Sequence, residues 1–284
     1  MYKIDLHLHT TASDGSDAPG ELIALAKRAG LDVISVTDHD TLKGSLEVIK
    51  LSNDELKIIT GIEFSCRSCG EREFDCHILG YGFDPASPHI LGAIAHGRDM
   101  RLQKLDARLD FLKSRHNVVF EKEEIEWLRS LNSVAKPHLA TLLVKRGLAV
   151  DIADAIDLYL KGDGFPDDRI DVAEAVRAIT LSGGIPVYAH PIGGEREKRI
   201  DKDELAARLD ILIPMGLTGM ECYYSRYSSA DEAWLIALAK SRGLLISAGS
   251  DYHGVNKTVQ LGRLCSDADV VPTEASIISA LLSK

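Results

Sequence analysis

The chain has 284 residues, of which 45% are hydrophobic and 27% are charged, a composition typical of a globular protein. Its formal net charge of −10 argues against broad electrostatic binding to duplex DNA or to an anionic membrane, while it leaves room for a small phosphorylated substrate. The sequence contains no apolar run of the ~18 residues that span a bilayer. It also has no signal segment before its first strand, so we expect a cytoplasmic protein.

Strands and helices alternate over the first eighty residues. Apolar runs predict strands, and an amphipathic segment that ends at Gly30 predicts a helix between the first two of them. This alternation favours a parallel sheet or a barrel. The predicted elements are a strand at 3–8, a helix at 18–30, a strand at 33–37, a helix at 42–51, and strands at 57–65 and 74–82.

The alternation stops after residue 86 and resumes at Ile170. The intervening helices are predicted at 90–115, 121–130, 137–146 and 152–160, with a loop at 163–168. The later elements are a helix ending at Leu181, strands at 185–189, 217–222 and 244–248, and helices at 203–215 and 230–243. We therefore predict a catalytic barrel formed by residues 1–97 and 166–284, and an all-helical insertion over residues 98–165 that forms one wall of the substrate cleft.

The first predicted strand carries two histidines that are two residues apart. Because successive side chains of a strand point to opposite faces, His7 and His9 project to the same side. Two neutral imidazoles on one side are suited to a divalent cation. Such a pair alone is more often just two polar side chains on one strand face.

Other predicted strands also end in potential metal ligands. Asp-His-Asp follows the second strand directly at 38–40, and Glu63 lies in an apolar strand, where a carboxylate without a partner would be costly. Such groups, gathered at one pole of a barrel, would repel one another or lack solvation unless cations bound there. Asp14 precedes Gly15, a pair more typical of a turn. The strand-end candidates are His7, His9, His39, Glu63, His77, His190, Glu221, Asp251 and His253.

The five cysteines predict no separate metal site. Cys66 and Cys69 have a spacing found in zinc sites, but no second pair at matching spacing follows. We interpret the cysteines as reduced thiols of a cytoplasmic protein.

The motifs resemble those of the PHP family, the polymerase and histidinol phosphatase domain. The resemblance implies an α/β fold, a distorted (β/α)7 TIM-like barrel with an all-helical insertion, and a trinuclear metal centre at its carboxyl face. The matching segments run from end to end of the chain in the family's order: Asp5-Leu6-His7-Leu8-His9-Thr10, Thr37-Asp38-His39-Asp40, Gly61-Ile62-Glu63, His77, Ala189-His190-Pro191 and Gly249-Ser250-Asp251-Tyr252-His253.

The resemblance also implies a ligand set for up to three divalent cations. The first would be held by His7, His9, Glu63 and Asp251, the second by Glu63, His77 and His190, and the third by Asp14, His39 and His253. Mixed nitrogen and oxygen ligation suits Mn²⁺, Fe²⁺ or Zn²⁺, with Mg²⁺ as a further option.

Within the family, the insertion resembles a branch of stand-alone bacterial phosphoesterases. These act on nucleotides and include a 3′,5′-nucleoside-bisphosphate phosphatase and a 5′→3′ exoribonuclease. The branch usually has Arg where this chain has Lys136, and often His where it has Tyr227. We predict phosphate contacts at Lys136 and Arg226, with Arg129 and Arg146 behind them, although a solvated surface role is the default for each.

We therefore predict a metal-dependent phosphoric ester hydrolase, most simply a phosphatase, which acts on a small nucleotide or a short oligonucleotide. A hydroxide shared by two cations would attack phosphorus at a centre organised by Glu63 and Asp251. Asp40 and His138 are candidates for the general acid. The alternative for Asp40 is a hydrogen bond within a loop, and the alternative for His138 is a position on the surface. The alternatives are a histidinol-phosphate-type phosphomonoesterase and a non-catalytic, metal-stabilised binding module. The insertion argues against the former, and the complete ligand set against the latter.

Overall fold

The computed structural model divides the chain into two compact units. One unit comprises Met1–Ala93 and Ile170–Lys284, and the other comprises Ile94–Arg169. We call them the barrel unit and the helical unit. The described residues are 2–51, 55–70, 72–195 and 197–283.

The barrel unit is built on one sheet in which seven strands follow the order β1-β2-β3-β4-β6-β7-β8, while the short β5 pairs with β3. Backbone hydrogen bonds of 2.9 Å from Asp251 N to His7 O and from His9 N to Tyr252 O tie β1 to the segment after β8. The sheet is thus a nearly closed barrel, which confirms the predicted α/β class. The strands are β1 Ile4–Leu8, β2 Val33–Val36, β3 Lys57–Ser68, β4 Phe74–Tyr81, β5 Ile170–Asp171, β6 Ile185–Tyr188, β7 Gly219–Tyr224 and β8 Leu245–Gly249.

One strand departs from the predicted parallel alternation. β4 runs antiparallel to both β3 and β6, whereas the remaining pairs of the barrel are parallel. Residues 69–73 connect β3 to β4, and so few residues can form a hairpin but not the crossover that a parallel pair needs. His77 consequently pairs with Ser65, close to Glu63 on the same hairpin.

Helices of the barrel unit pack against the sheet. Between β1, β2 and the first two helices lies an apolar core that includes Leu8, Leu22 and Val48. No helix among the described residues is long and apolar enough to cross a membrane. The helices are α1 Pro19–Arg28, α2 Lys43–Lys50, α7 Val172–Leu181, α8 Lys202–Leu212, α9 Ser229–Ser241 and α10 Ile277–Leu282, together with a 3₁₀ turn at Gly254–Asn256.

The helical unit contains most of α3 and three shorter helices. Asp151 caps the last of these by accepting a 2.9 Å hydrogen bond from Asp154 N. The core of the unit is rich in leucine, with Leu112, Leu139 and Leu143 fully buried. The helices are α3 Pro88–His116, α4 Lys122–Ser130, α5 Lys136–Lys145 and α6 Ile152–Tyr159.

Candidate metal centre

The two histidines of the first motif lie where β1 meets β8. His7 and His9 are fully buried, and their ring centroids are 5.2 Å apart. β8 can approach β1 this closely because position 249 is glycine, since a Cβ there would lie 2.2 Å from the Cβ of His7. The sequence thus brings both imidazoles to the carboxyl edge of the barrel.

A single carboxylate, that of Glu63, faces five imidazoles. Glu63 is 1% exposed, so this carboxylate is shielded from water. Its Oε2 lies 3.3 Å from His7 Nε2, 3.2 Å from His9 Nε2 and 3.1 Å from His39 Nδ1. Its Oε1 lies 3.0 Å from His77 Nδ1 and 3.3 Å from His190 Nε2. Because each of its oxygens faces ligand nitrogens, this carboxylate could hold a cation together with the neighbouring imidazoles.

A second carboxylate, that of Asp14, completes another group of ligand atoms. Asp14 Oδ1 lies 3.2 Å from His253 Nε2 and 3.5 Å from His9 Nδ1, and its Oδ2 lies 3.9 Å from His39 Nε2. The Asp14 side chain is 52% exposed, in contrast to Glu63. The turn at Asp14-Gly15 therefore brings a solvent-facing carboxylate to the edge of the cluster.

Asp251 offers one oxygen to the cluster and holds the other in hydrogen bonds. Its Oδ1 lies 3.6 Å from His7 Nε2 and 3.5 Å from His9 Nε2. Its Oδ2 accepts hydrogen bonds from the Tyr224 hydroxyl at 2.9 Å and from Lys257 Nζ at 2.7 Å. The side chain is thereby oriented with Oδ1 towards the imidazoles.

Several buried ligand atoms have no hydrogen-bond partner among the described residues. An unsatisfied buried polar atom costs about 1–3 kcal/mol, so a concentration of them in one place needs an explanation. A divalent cation fits, because it would be bound by the nitrogen and oxygen lone pairs that face one another here. The orphaned atoms of the cluster are His7 Nε2, His9 Nδ1 and Nε2, His39 Nδ1, Glu63 Oε2 and His253 Nε2.

The backbone is strained at three positions of the site. Asp40, His190 and Asp251 have φ values of 54°, 28° and 59°, in the left-handed region that non-glycine residues rarely adopt. Each such residue costs of order 1–3 kcal/mol and persists only where the surroundings enforce it. Strain at these strand ends is consistent with a functional site.

The electrostatics of the cluster favour ionised carboxylates. Burial opposes the charged form of Glu63, but the surrounding imidazoles, His39 and His7 foremost, outweigh burial and hold the pKa of Glu63 well below its usual range. Burial lowers the pKa of His39 to about 3, whereas hydrogen bonds to Asp14 and Glu63 outweigh burial at His9 and raise its pKa to about 9. Anionic oxygen and neutral nitrogen are the forms that bind cations.

Glu221 orients two ligand-bearing segments at once. Its Oε1 lies 3.0 Å from His7 Nδ1, and its Oε2 accepts a 2.8 Å hydrogen bond from His190 N. A carboxylate on Nδ1 fixes the imidazole tautomer and leaves Nε2 free for a metal. Glu221, noted in the sequence only as a strand-end carboxylate, is therefore a supporting residue behind the cluster.

The side chains of the two candidates for the general acid both accept hydrogen bonds from backbone N–H groups. Asp40 is buried, and its Oδ1 accepts a 3.0 Å hydrogen bond from Ser65 N. In the helical unit, His138 Nδ1 accepts a 3.0 Å hydrogen bond from Ala135 N at the start of α5. These contacts support the local backbone, and an acid role for either residue stays a prediction.

The four basic residues predicted to contact phosphate differ in whether a carboxylate of the protein already pairs with them. Arg226 pairs with Glu195 at 2.9 Å in the barrel unit. In the helical unit, Arg129 pairs with Asp106. Arg146 also pairs with a carboxylate there and donates to Val119 O at 2.6 Å. Lys136 is half-buried in the same unit and makes no ion pair among the described residues. Substrate contact by these four residues stays a prediction.

Two residues of the site were missed in the sequence. Lys257 contacts Asp251 from a loop beyond the last motif, and no local pattern distinguishes it from a surface lysine. Glu197 lies 3.2 Å from His190 Nδ1 and forms a possible cation-binding group with His77 and His190. The signal for Glu197 was weak, because it belongs to a run of alternating charges after His190.

Known proteins share both the motifs and the fold. The sequence model of the family described as PHP domain matches residues 5–179 of the chain. A phosphoribosyl 1,2-cyclic phosphate 1,2-diphosphodiesterase from Eggerthella lenta is 30% identical over 257 residues, which cover 88% of this chain and 94% of the relative. The 5′-3′ exoribonuclease Rnm from Escherichia coli is 29% identical, covering 91% and 88%. A 3′,5′-nucleoside bisphosphate phosphatase from Chromobacterium violaceum is 28% identical, covering 89% and 88%.

A solved structure supports the same relationship. The structure of an amidohydrolase from Chromobacterium violaceum superposes with a TM-score of 0.77 at 26% identity, covering 99% of this chain and 96% of that one. The family model spans more than half of the chain, and the strand-end motifs it covers include His7, His9, His39, Glu63 and His77. The chain therefore belongs to the PHP domain family.

Proposed function

We propose that the chain is a metal-dependent phosphatase that hydrolyses a phosphate ester of a small nucleotide, with a 3′,5′-bisphosphonucleotide as the first candidate. The observation that carries this proposal is the buried cluster around Glu63, where ligand atoms face one another without hydrogen-bond partners. Relatives that hydrolyse phosphate esters support the reaction class. The chain is accordingly a hydrolase of phosphate esters.

The proposed ligand set is the one that the family resemblance implies. Four close groups of candidate ligand atoms support it: His9, Asp14, His39 and His253; His7, His9 and Glu63; His39, Glu63 and His77; and His77, His190 and Glu197. His7, His9, Glu63 and Asp251 would hold one cation; Glu63, His77 and His190 a second; Asp14, His39 and His253 a third. Mn²⁺, Fe²⁺ and Zn²⁺ all suit this mixture of nitrogen and oxygen. Bound there, the cations would supply an activated water as nucleophile and offset the charge that develops on the phosphoryl group.

Two basic residues of the barrel unit are suited to hold the phosphate. Lys257 Nζ is 2.7 Å from the Asp251 carboxylate, so its charge lies at the edge of the cluster. Arg226 is pre-oriented by Glu195 and by a 3.2 Å hydrogen bond to Thr258 Oγ1, and its side chain remains 36% exposed. Both can donate to phosphate oxygens without taking part in the chemical step.

A short oligonucleotide is the second candidate substrate, because an exoribonuclease is 29% identical over most of its length. Lys136, Arg129 and Arg146 remain candidates for contacts with the substrate, as Asp40 and His138 do for the acid. We further propose a cytoplasmic location, since all five cysteines are free thiols.

A substrate panel tests the proposal. Purified protein loaded with Mn²⁺ is incubated with adenosine 3′,5′-bisphosphate, a short 5′-phosphorylated RNA, a phosphoribosyl 1,2-cyclic phosphate and histidinol phosphate, and released phosphate or mononucleotide is measured. We expect the bisphosphonucleotide to have the largest kcat/KM. Release from histidinol phosphate alone would reject the nucleotide proposal, and no turnover of any compound by metal-loaded protein would reject an enzymatic role.

A further inference from the structure

His190 presents both of its ring nitrogens to carboxylates. Its Nε2 lies 3.3 Å from Glu63 Oε1, and its Nδ1 lies 3.2 Å from Glu197 Oε2. Glu63 is buried, whereas the side chain of Glu197 is 42% exposed, so one carboxylate belongs to the buried cluster and the other approaches from the solvent side. The proposed reaction assigns no role to Glu197.

The loop after β6 is folded so that Glu197 returns to His190. Gly193 N donates a 2.8 Å hydrogen bond to His190 O, and its φ of 109° is a conformation that favours glycine. Gly194 N then donates a 2.7 Å hydrogen bond to Glu197 Oε2, which holds the carboxylate beside the ring. A Cβ at position 194 would lie 3.1 Å from His190 Nδ1, so a side chain there would crowd the nitrogen that Glu197 approaches.

The same arrangement occurs at another imidazole of the cluster, that of His7. Glu221 Oε1 lies 3.0 Å from His7 Nδ1, whereas His7 Nε2 lies 3.3 Å from Glu63 Oε2. At both histidines, therefore, Nε2 faces Glu63 and a second carboxylate lies at Nδ1. The repetition on two different strand ends indicates that Glu197 does for His190 what Glu221 does for His7.

Direct binding of a cation is the alternative role for Glu197, because it forms a close group of candidate ligand atoms with His77 and His190. A neutral imidazole, however, offers only one nitrogen as an acceptor, since the other carries a hydrogen. If His190 Nε2 binds a cation next to Glu63, Nδ1 carries that hydrogen and donates it to Glu197. Glu197 Oε2 also accepts the hydrogen bond from Gly194 N, so the geometry favours hydrogen bonding over coordination.

We propose that Glu197 is a positioning residue of the metal centre, which accepts a hydrogen bond from His190 Nδ1–H and thereby directs His190 Nε2 towards a cation next to Glu63. A carboxylate at Nδ1 fixes the tautomer and the orientation of the ring and makes the other nitrogen a stronger ligand. The inference rests on the metal centre of the proposed function but is independent of the substrate.

Metal titration of the whole protein tests this role. Metal-free wild type, Glu197→Ala and Glu197→Gln are titrated with Zn²⁺ in competition with a coloured chelator, and Glu73→Ala is the matched control, since Glu73 pairs with Arg67 at the surface. We expect Glu197→Ala to weaken one Zn²⁺-binding step by about 10–100-fold. Glu197→Gln should lose less, because an amide oxygen still accepts the hydrogen bond. Glu73→Ala should bind Zn²⁺ like the wild type.

Proton NMR of the Zn²⁺-saturated protein gives a second readout, one that a general effect on the loop would not produce. The Nδ1 proton of an imidazole that is hydrogen-bonded to a carboxylate resonates far downfield, and His190→Gln identifies the signal of His190 by removing it. We expect this signal to be absent in Glu197→Ala, to move upfield in Glu197→Gln and to stay unchanged in Glu73→Ala.

Three results would overturn the proposal: wild-type Zn²⁺ affinity of Glu197→Ala, an unchanged His190 signal in Glu197→Ala, or equal losses of affinity in Glu197→Ala and Glu197→Gln. Equal losses would identify Glu197 as a direct ligand. Absence of Zn²⁺ binding by the wild type would reject the proposed metal centre and this inference with it. Because no turnover is measured, the results are independent of whether the proposed phosphatase activity is found.

Discussion

The metal centre and the helical unit both contain many charged side chains, but they balance those charges differently. In the helical unit, Arg129 pairs with Asp106 and Arg146 pairs with Glu124, so the charges of these two arginines are balanced by carboxylates of neighbouring helices. In the metal centre, Glu63 Oε2 and the nitrogens of His7, His9 and His39 that face it lack hydrogen-bond partners among the described residues. Paired charges support a local fold, whereas buried ligand atoms without partners indicate a group that comes from outside the chain.

The largest expected effect is that of Glu63→Gln. The amide removes the negative charge that both proposed bridging contacts need, so we expect activity to fall by about a thousandfold or more, together with loss of bound metal. Steady-state kinetics and elemental analysis of the purified variant measure the two effects. Glu73→Gln, which changes an exposed glutamate next to β4, is the matched control and should behave like the wild type.

A smaller effect is expected for Glu221→Gln, because Glu221 acts only through His7 and the backbone of His190. Loss of such a supporting carboxylate typically weakens metal affinity by about 10–100-fold. Competition with a coloured chelator measures the affinity. Unchanged affinity would show that the orientation of His7 does not depend on this contact.

The helical unit should respond to mutation through stability rather than through metal binding. Leu139 is fully buried in its core, so Leu139→Ala should lower the free energy of unfolding by about 2–5 kcal/mol. The folded variant should keep its full metal content, because every proposed ligand belongs to the barrel unit. Urea unfolding and elemental analysis test both statements, and metal loss from the folded variant would contradict the second.

Glu232 differs from Glu63 because this buried carboxyl group keeps its proton at acidic pH. Burial raises its pKa from 4.5 to about 7. Because the folded protein holds a proton that the unfolded chain has released, this group stabilises the fold fully below pH 4.5, and the contribution is lost as the pH rises through about 7. We expect the wild type to lose about 3 kcal/mol relative to Glu232→Gln between acidic and mildly alkaline pH. Urea unfolding of both proteins across that range gives the difference, and parallel curves would reject the assignment.

Much of the site could be predicted from short motifs. His7, His9, His39 and Asp251 are recognisable because each lies at the end of an apolar strand, and parallel strands bring such ends together. The antiparallel β4 was not predicted, since the sequence pattern of a strand does not reveal its direction. The short connection at 69–73 is the physical reason for the hairpin.

The remaining contacts depend on loop geometry. Lys257 reaches Asp251 only because of the turn after β8, and Glu197 reaches His190 only because of the loop after β6. Neither contact has a repeating spacing that a sequence can show. Likewise, the pairing of Arg129 and Arg146 within the helical unit depends on how α4 and α5 meet α3, which composition does not determine.

Removal and return of the metal test the central claim most directly. The protein is treated with a chelator, dialysed, and assayed for phosphate release from adenosine 3′,5′-bisphosphate before and after Mn²⁺ is added. We predict that hydrolysis disappears in the stripped protein and returns with Mn²⁺ in the wild type but not in Glu63→Gln. Full activity in stripped protein with no detectable metal would contradict a metal centre at Glu63.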